Sequence, residues 1–569
     1  MLLIETTLVA IIMIIALVFR RVGGSWAQPF ERLLAATARR RVLSVLLAGA
    51  LALVLRTAMM PIEPIPEPII HDEFGYLFAA DTFAHGRIAN PTPPMWEHFE
   101  TFHVMFHPTY ASIYPPAQGF ILAVGRVFFG HPFWGVQLSV ALMCASLTWM
   151  LQGWLSPQWA LLGGLISVLR YGVFGYWADS YWGGAVPAIG GAIVLGALPR
   201  IVHAQRVRDA LLMGVGLAIL ANSRPYEGFI FALPVGIILL TWLASRRSPG
   251  IRVAMRRVIL PLTVMLVLLA GGTGYYLYRV TGSPVRMAYQ IERQIYAVAP
   301  YMIWQPVRPE PAYHHADMRK MFVEEEMLGL RAFRSTVGLL LRGYLAWSFF
   351  LGPVLTLPFL MLAVTLPRNL SLRSIDQRTA ALLFLTCFFV AGTLLVNFYS
   401  PHYSAPATGL IILLLMMAMR QLRQWGNPGQ FLARAIAIIC LMSFALRASA
   451  RPLHIQLPEY YAYTWYQKGA PPFARDAVQQ QLLRTPGNHL VFVHYQPEHE
   501  PFAEWIYNAA DLDQARIIWA REISVASDRE LVERFQGRQV WVVDADALPP
   551  TLAPYSSHSE ANTPPQALF

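Results

Sequence analysis

The stretch RRRVLSVLLAGALALVLRTAMM, residues 39–60, decides the fold class. Three arginines precede an apolar run from Val42 to about Met59, long enough to cross a hydrocarbon core of roughly 30 Å. Similar runs cover about Leu3 to Phe19, 132–152, 158–175, 184–200, 210–221, 228–244, 258–278, 335–365, 379–398, 405–420 and 431–449, giving about 12 expected spans. Composition agrees. The chain is 56% hydrophobic and 14% charged, with mean hydropathy +0.43, whereas soluble domains carry roughly 25% charged residues. This reads as an all-α polytopic membrane bundle and excludes both an ordinary soluble enzyme and a disordered chain.

The net charge of +11 is uneven. Residues 451–569 hold 9 Lys+Arg against 14 Asp+Glu, a balance of −5, which leaves +16 on residues 1–450. The arginines there cluster in short loops: Arg20, Arg21, Arg32 and Arg39 to Arg41; Arg200, Arg206 and Arg208; Arg246, Arg247, Arg252, Arg256 and Arg257. Such loops stay on the cytoplasmic side, so the basic balance is a topology signal and no nucleic acid partner is expected. The first span has no basic residue before it and Arg20-Arg21 after it, the reverse of a secretory signal, which marks an anchored segment with its N-terminus outside. An even span count then puts both termini outside a plasma (inner) membrane. Cys144, Cys387 and Cys440 lie singly in apolar runs, with no disulfide framework or zinc ribbon.

The first outer loop is 61–114. Within it HDEFGYLFAADTFAH, residues 71–85, spaces Phe74, Leu77, Phe78 and Phe83 as a helix lying on the membrane surface, its acids facing water and Gly86 closing it. Pro115 to Gly130 is too short to span and fits an interfacial or re-entrant helix. The long outer loop 280–334, with Tyr289, Tyr296, Tyr301, Trp304, Arg308 and the run Glu324 to Glu326, is expected to act as a lid. After Arg451 a small extracytoplasmic α/β domain is expected over 451–569, with strands at His489–His494, Arg516–Ala520 and Gln539–Val543, a helix at Asp528–Phe535 and a frayed end from Ser556 to Phe569. It has no GxGxxG or Walker-type loop, so no nucleotide site is expected there. Residues 1–450 form the transmembrane domain.

The expected spans contain almost no Asp or Glu, and the carboxylates gather in outward loops: Asp72, Glu73, Asp81, Glu97 and Glu100, then Asp179, then Glu227. This favours chemistry at the outer surface over transport through the bundle. Asp72-Glu73 also suits the start of a helix, whose dipole favours acids there. Asp179 lies in YWADSYWGG (176–184), where Trp177, Tyr181 and Trp182 equally fit an interfacial aromatic belt. His103 and His107, spaced i, i+4, are the candidate metal ligands, although Pro108 follows and no HExxH frame exists.

Asp72-Glu73 opening the first outer loop, Tyr114-Pro115-Pro116 with a short helix after it, and Ser400-Pro401-His402-Tyr403 with Pro406 entering a late span resemble the GT-C class of membrane glycosyltransferases. The branch they resemble is that of the protein O-mannosyltransferases and lipid A aminoarabinose transferases. The resemblance runs loosely over 42–450, and its specific part is 71–120 with 400–406. His402 stands where that family carries arginine, and the first span precedes the family's usual first helix. The resemblance implies a lipid-linked donor, a polyprenyl phosphate-sugar, whose sugar passes with inversion to a hydroxyl of an acceptor protein, lipid or glycan at the outer face. It implies Asp72 as general base, Glu73 orienting it, and Asp179 as a second acid that assists or binds a metal. No cofactor is fixed by it, and a divalent metal ion stays open. Arg224, in ANSRPYEG (221–228), can hold phosphate oxygens bidentately; His402, Tyr403, Tyr114 and Glu227 complete the expected substrate-binding set. A transporter or flippase of lipid-linked sugars, and a non-catalytic membrane scaffold, remain the alternatives.

Overall fold

A computed structural model describes residues 1–19, 28–365, 376–455, 464 and 474–555. The expectations for Arg20, Arg21 and Ser556 to Phe569 lie outside the described residues. Among the described residues, seven helices are long and apolar enough to cross a membrane: Arg41–Ala58, Phe133–Trp154, Ala185–Ala204, Pro225–Ala244, Ile251–Thr281, Pro401–Arg423 and Gly426–Ala450. Thr336–Phe350 and Gly352–Val364 make an eighth if the pair, bent by 102°, counts as one. The protein is a multi-pass helical membrane protein, with seven or eight full-length spans among the described residues where 12 are expected for the chain. The difference comes from helices that stop short, such as Leu2–Val18, Pro157–Tyr171, Val207–Ala221 and Gln377–Thr393. Hydropathy marks these as apolar without saying where the helix ends.

The bend in the pair follows from its sequence. Gly352 adopts φ +59, and Pro353 follows it. A Cβ at Gly352 would sit 2.6 Å from an Arg170 guanidinium nitrogen and 2.9 Å from a Glu5 carboxylate oxygen, so only glycine lets the chain turn against this buried ion pair. Arg170 and Glu5 lie 3.3 Å apart and are 5% and 1% exposed.

The segment after 473 forms a four-stranded sheet in the order Ile517–Arg521, His489–His494, Gln539–Asp544, Thr551–Pro554. The first three strands are parallel, with His489 opposite Ile517 and Gln539, and the last is an antiparallel edge. Helix Val525–Arg534 makes one crossover, capped where the Ser524 hydroxyl accepts the Ser527 N–H. Helix Ala474–Arg484 and the edge strand are additions to the expected elements.

This unit is seated on the first loop. Phe78, Phe99, Val104, Phe106 and Tyr110 share one apolar core with Leu490, Phe492, Ile518 and Leu531. Arg521 pins the seam, with Nε donating to the Glu100 carbonyl at 2.7 Å, Nη1 to Asp317 at 2.6 Å and Nη2 to Glu504. Truncation in Arg521→Ala would leave Asp317 and Glu504 buried without their cation, at a cost of about 3–5 kcal/mol. The expected result is a lower unfolding midpoint and faster proteolysis after residue 473; a midpoint equal to wild type would show that the seam does not depend on Arg521.

Candidate active site

Helix His71–Ala84 forms as its spacing predicts, ending at His85 with Gly86 at φ +71. Its acids do not face water, which corrects the surface-helix expectation. Asp81 accepts the Ala510 N–H at 2.6 Å and pairs with Arg126 at 2.6 Å. Glu73 is 2% exposed and accepts three backbone N–H groups, from Ile69 (3.0 Å), Ile70 (3.4 Å) and Tyr181 (2.9 Å). The reason is that the C-terminal unit and the 176–184 loop cover the helix and supply donors that solvent would otherwise provide.

Burial pushes the Glu73 carboxyl up to about 7, against the pull of those backbone N–H groups. Glu73 thus ties the first turn of this helix to the 176–184 loop and fixes the direction of its neighbour Asp72. In Glu73→Gln one acceptor becomes an NH₂ group facing backbone N–H donors. The expected loss is about 1–3 kcal/mol, read as a lower thermal midpoint; equal midpoints would remove Glu73 as a structural tie.

Asp72 lies on a cavity of about 390 Å³ that it shares with His71, His103, Tyr114, Arg224 and Glu227, and with His402 and Tyr403. The Tyr114 hydroxyl donates to Asp72 Oδ1, and His71 Nδ1 lies 3.2 Å from Asp72 Oδ2. Burial would raise the Asp72 pKa, but the imidazole of His71, the nearby His103 and the Tyr114 hydroxyl outweigh it and hold this carboxyl well below the usual range. That balance favours the ionised form of Asp72.

Arg224 is the residue just before helix Pro225–Ala244. Its guanidinium lies 4.7 Å from the centroid of the Tyr403 ring and has no hydrogen-bond or ion-pair partner among the described residues. Glu227, 3% exposed, keeps one carboxylate oxygen without a partner. His402 is held between the Tyr176 hydroxyl, 3.1 Å from its Nδ1, and the ring of Trp182, 4.8 Å away. The segment before it is fixed by Arg342, which donates to the carbonyls of Val396 (2.7 Å) and Asn397 (2.6 Å).

Two expected residues stand elsewhere. Asp179 is not on the cavity wall; Arg56 donates to it from Nε at 3.0 Å and from Nη2 at 2.5 Å, clamping helix Arg41–Ala58 to the 176–184 loop. Trp177 and Tyr181 are buried in the core and form no interfacial belt. His107 is also off the cavity, packed edge-on to Trp96 at 4.9 Å. The i, i+4 helical geometry assumed for His103 and His107 is absent, because the chain there forms a short antiparallel hairpin, Val104–Met105 with Ala111–Ser112.

A different set could hold a cation. Ligand atoms of His71, Asp72 and His103 all lie within 4.8 Å of one another. His103 adopts φ +61 and is held by Glu292, which accepts from its backbone N–H (3.0 Å) and lies 3.1 Å from its Nδ1. The Nε2 of the buried His71 has no hydrogen-bond partner among the described residues, while its Nδ1 faces Asp72. Two imidazoles and a carboxylate suit zinc or a similar divalent ion. Sequence reading passed over His71 as a ligand although it adjoins Asp72, and it missed Glu292 and Phe502, which come from distant segments.

No protein-family model and no curated protein matches the chain. Among solved structures, the chain is similar to the oligosaccharyltransferase of Archaeoglobus fulgidus in its apo form, with 12% identity over 88% of this chain and 69% of that one, TM-score 0.48. It is similar to that organism's oligosaccharyltransferase AglB in complex with an inhibitory peptide and a dolichol-phosphate, with 11% identity over 91% and 70%, TM-score 0.44. It is also similar to ArnT from Cupriavidus metallidurans bound to undecaprenyl phosphate, with 15% identity over 88% and 93%, TM-score 0.47.

Proposed function

We propose that this protein is a membrane glycosyltransferase that moves a sugar from a polyprenyl-phosphate donor to an acceptor hydroxyl at the outer face of a plasma membrane, with inversion and with both chain termini outside. The observation that carries this reading is one cavity bounded by an ionised carboxylate, Asp72, and an uncommitted guanidinium, Arg224. In the reaction the acceptor oxygen forms a bond to the anomeric carbon and its proton passes to Asp72. The bond from that carbon to the phosphate oxygen breaks on the opposite side, and its electron pair stays with the lipid phosphate. Arg224 faces that developing charge, where an oriented donor counts most, and His402 stands beside it. Asp72 is a weak base, which suits an acceptor proton that leaves late. Glu227, with its free oxygen, is a natural acceptor for sugar hydroxyls.

The lipid tail would lie in an apolar groove of about 580 Å³, lined by Phe83, Phe120, Leu142, Ile219 and Tyr276. A small pocket of about 30 Å³ separates the two, sharing Pro116, Asn222 and Tyr276 with the groove and Tyr114, Pro115 and Tyr289 with the main cavity. His71, Asp72 and His103 would hold a divalent cation, which would supply positive charge at the Asp72 end of the cavity and polarise the acceptor hydroxyl there. Tyr289, Tyr301 and Glu326 from the long loop line the same cavity and suit a cover over the donor.

The test is reconstitution of purified protein in liposomes with a labelled polyprenyl-phosphate sugar and candidate acceptors. Free polyprenyl phosphate should appear in step with a new glycoside. Labelled donor that crosses the bilayer chemically unchanged would favour the flippase reading and sink this one.

A further inference from the structure

A second recess, with a volume of about 1240 Å³, opens between the C-terminal sheet and the 314–324 segment. It lies at the carboxyl ends of two neighbouring parallel strands, where His494 and Arg521-Glu522 end their ladders. Ligands of open parallel sheets bind at that edge. A buried polar atom there is left open. His499 is 4% exposed, its Nδ1 lies 2.7 Å from Asp546, and its Nε2 has no hydrogen-bond partner among the described residues. Its ring stacks on Tyr495 at 3.9 Å. Such a nitrogen, held in place by a carboxylate on the other side of its ring, is set to bond something the chain does not supply.

We propose that this recess binds a polyhydroxylated ligand, a glycan. Four guanidinium or ammonium groups and five carboxylates line it, so it favours neither polyanions nor polycations. Donors, acceptors and the side chains of Tyr495 and Tyr555 line its walls together. A hydroxyl both gives and takes a hydrogen bond, and sugar rings stack on aromatic faces, so a glycan satisfies these walls where a single-sign ligand does not.

The recess and the reaction cavity share their partition. Lys320 and Glu324 face the recess while Met321 and Glu325 of the same segment face the cavity. Lys320 Nζ donates to the carbonyls of Glu498 (3.1 Å) and His499 (2.8 Å), and the same loop then delivers Phe502 to the cavity wall, stacked on His71 at 5.3 Å. If the transfer reading holds, the bound glycan is the acceptor, lying in the recess with its end reaching past Phe502 to Asp72.

The experiment is binding of the full-length protein in nanodiscs to an array of defined neutral, acidic and phosphorylated oligosaccharides. Wild type should bind one neutral or mixed glycan class. His499→Gln and the exposed Arg529→Ala should each weaken it about tenfold or more with unfolding midpoints unchanged. No glycan bound, binding unmoved by Arg529→Ala in a folded protein, or preference for the phosphorylated set would overturn the proposal. Binding that passes these criteria in a protein that transfers no sugar would keep the recess as a glycan site and reject the transferase reading instead.

Discussion

Asp72→Asn is expected to lower sugar transfer by about 10²–10⁴, the usual contribution of a positioned general base. Asparagine keeps the size of the side chain and still accepts the Tyr114 hydroxyl bond, so the fold should survive while proton acceptance is lost. Asp72→Ala should fall at least as far. The measurement is the initial rate in proteoliposomes, alongside gel filtration and an unfolding midpoint for each variant. Near-normal transfer by a folded Asp72→Asn protein would mean that another group takes the proton; Glu227, with its open oxygen, would be examined next.

Arg224→Ala should raise the apparent KM for the lipid donor by about 10- to 150-fold, the equivalent of about 1.5–3 kcal/mol for a hydrogen bond to a charged group. The acceptor KM should move much less. The guanidinium makes no hydrogen bond or ion pair among the described residues but lies over the Tyr403 ring and supports the charge of the buried Glu227, so an unfolding midpoint for the variant separates loss of donor binding from loss of stability. Arg224→Lys should recover part of the loss, since an ammonium supplies the charge without the bidentate fork. A donor KM equal to wild type would take Arg224 out of phosphate recognition.

The apolar bundle and the helix beginning at Asp72-Glu73 were legible in the sequence because both depend on local periodicity. The convergence of Asp72, Tyr114, Arg224, Glu227, His402 and Tyr403 on one cavity was legible in a weaker sense: each sits just outside or at the start of an apolar run on the same expected face. Asp179 was not, since its fate is decided by Arg56, 123 positions earlier in the chain. His71 and His103 lie with ring centroids 4.5 Å apart only because the backbone at His103 turns left-handed and Glu292 anchors it from 189 positions away. The inward aim of the acids on helix His71–Ala84 depends on a cover that arrives after residue 473. Patterns of three or four residues carry none of this.

The Glu5–Arg170 pair also constrains biogenesis. A charged side chain without a partner is disfavoured inside a bilayer, and Arg170 is synthesised 165 residues after Glu5. Helix Leu2–Val18 therefore emerges before its counter-charge exists, and the pair can close only once Pro157–Tyr171 has followed. Its seat beside the turn at Gly352 is completed later still, so this helix docks well after it is made.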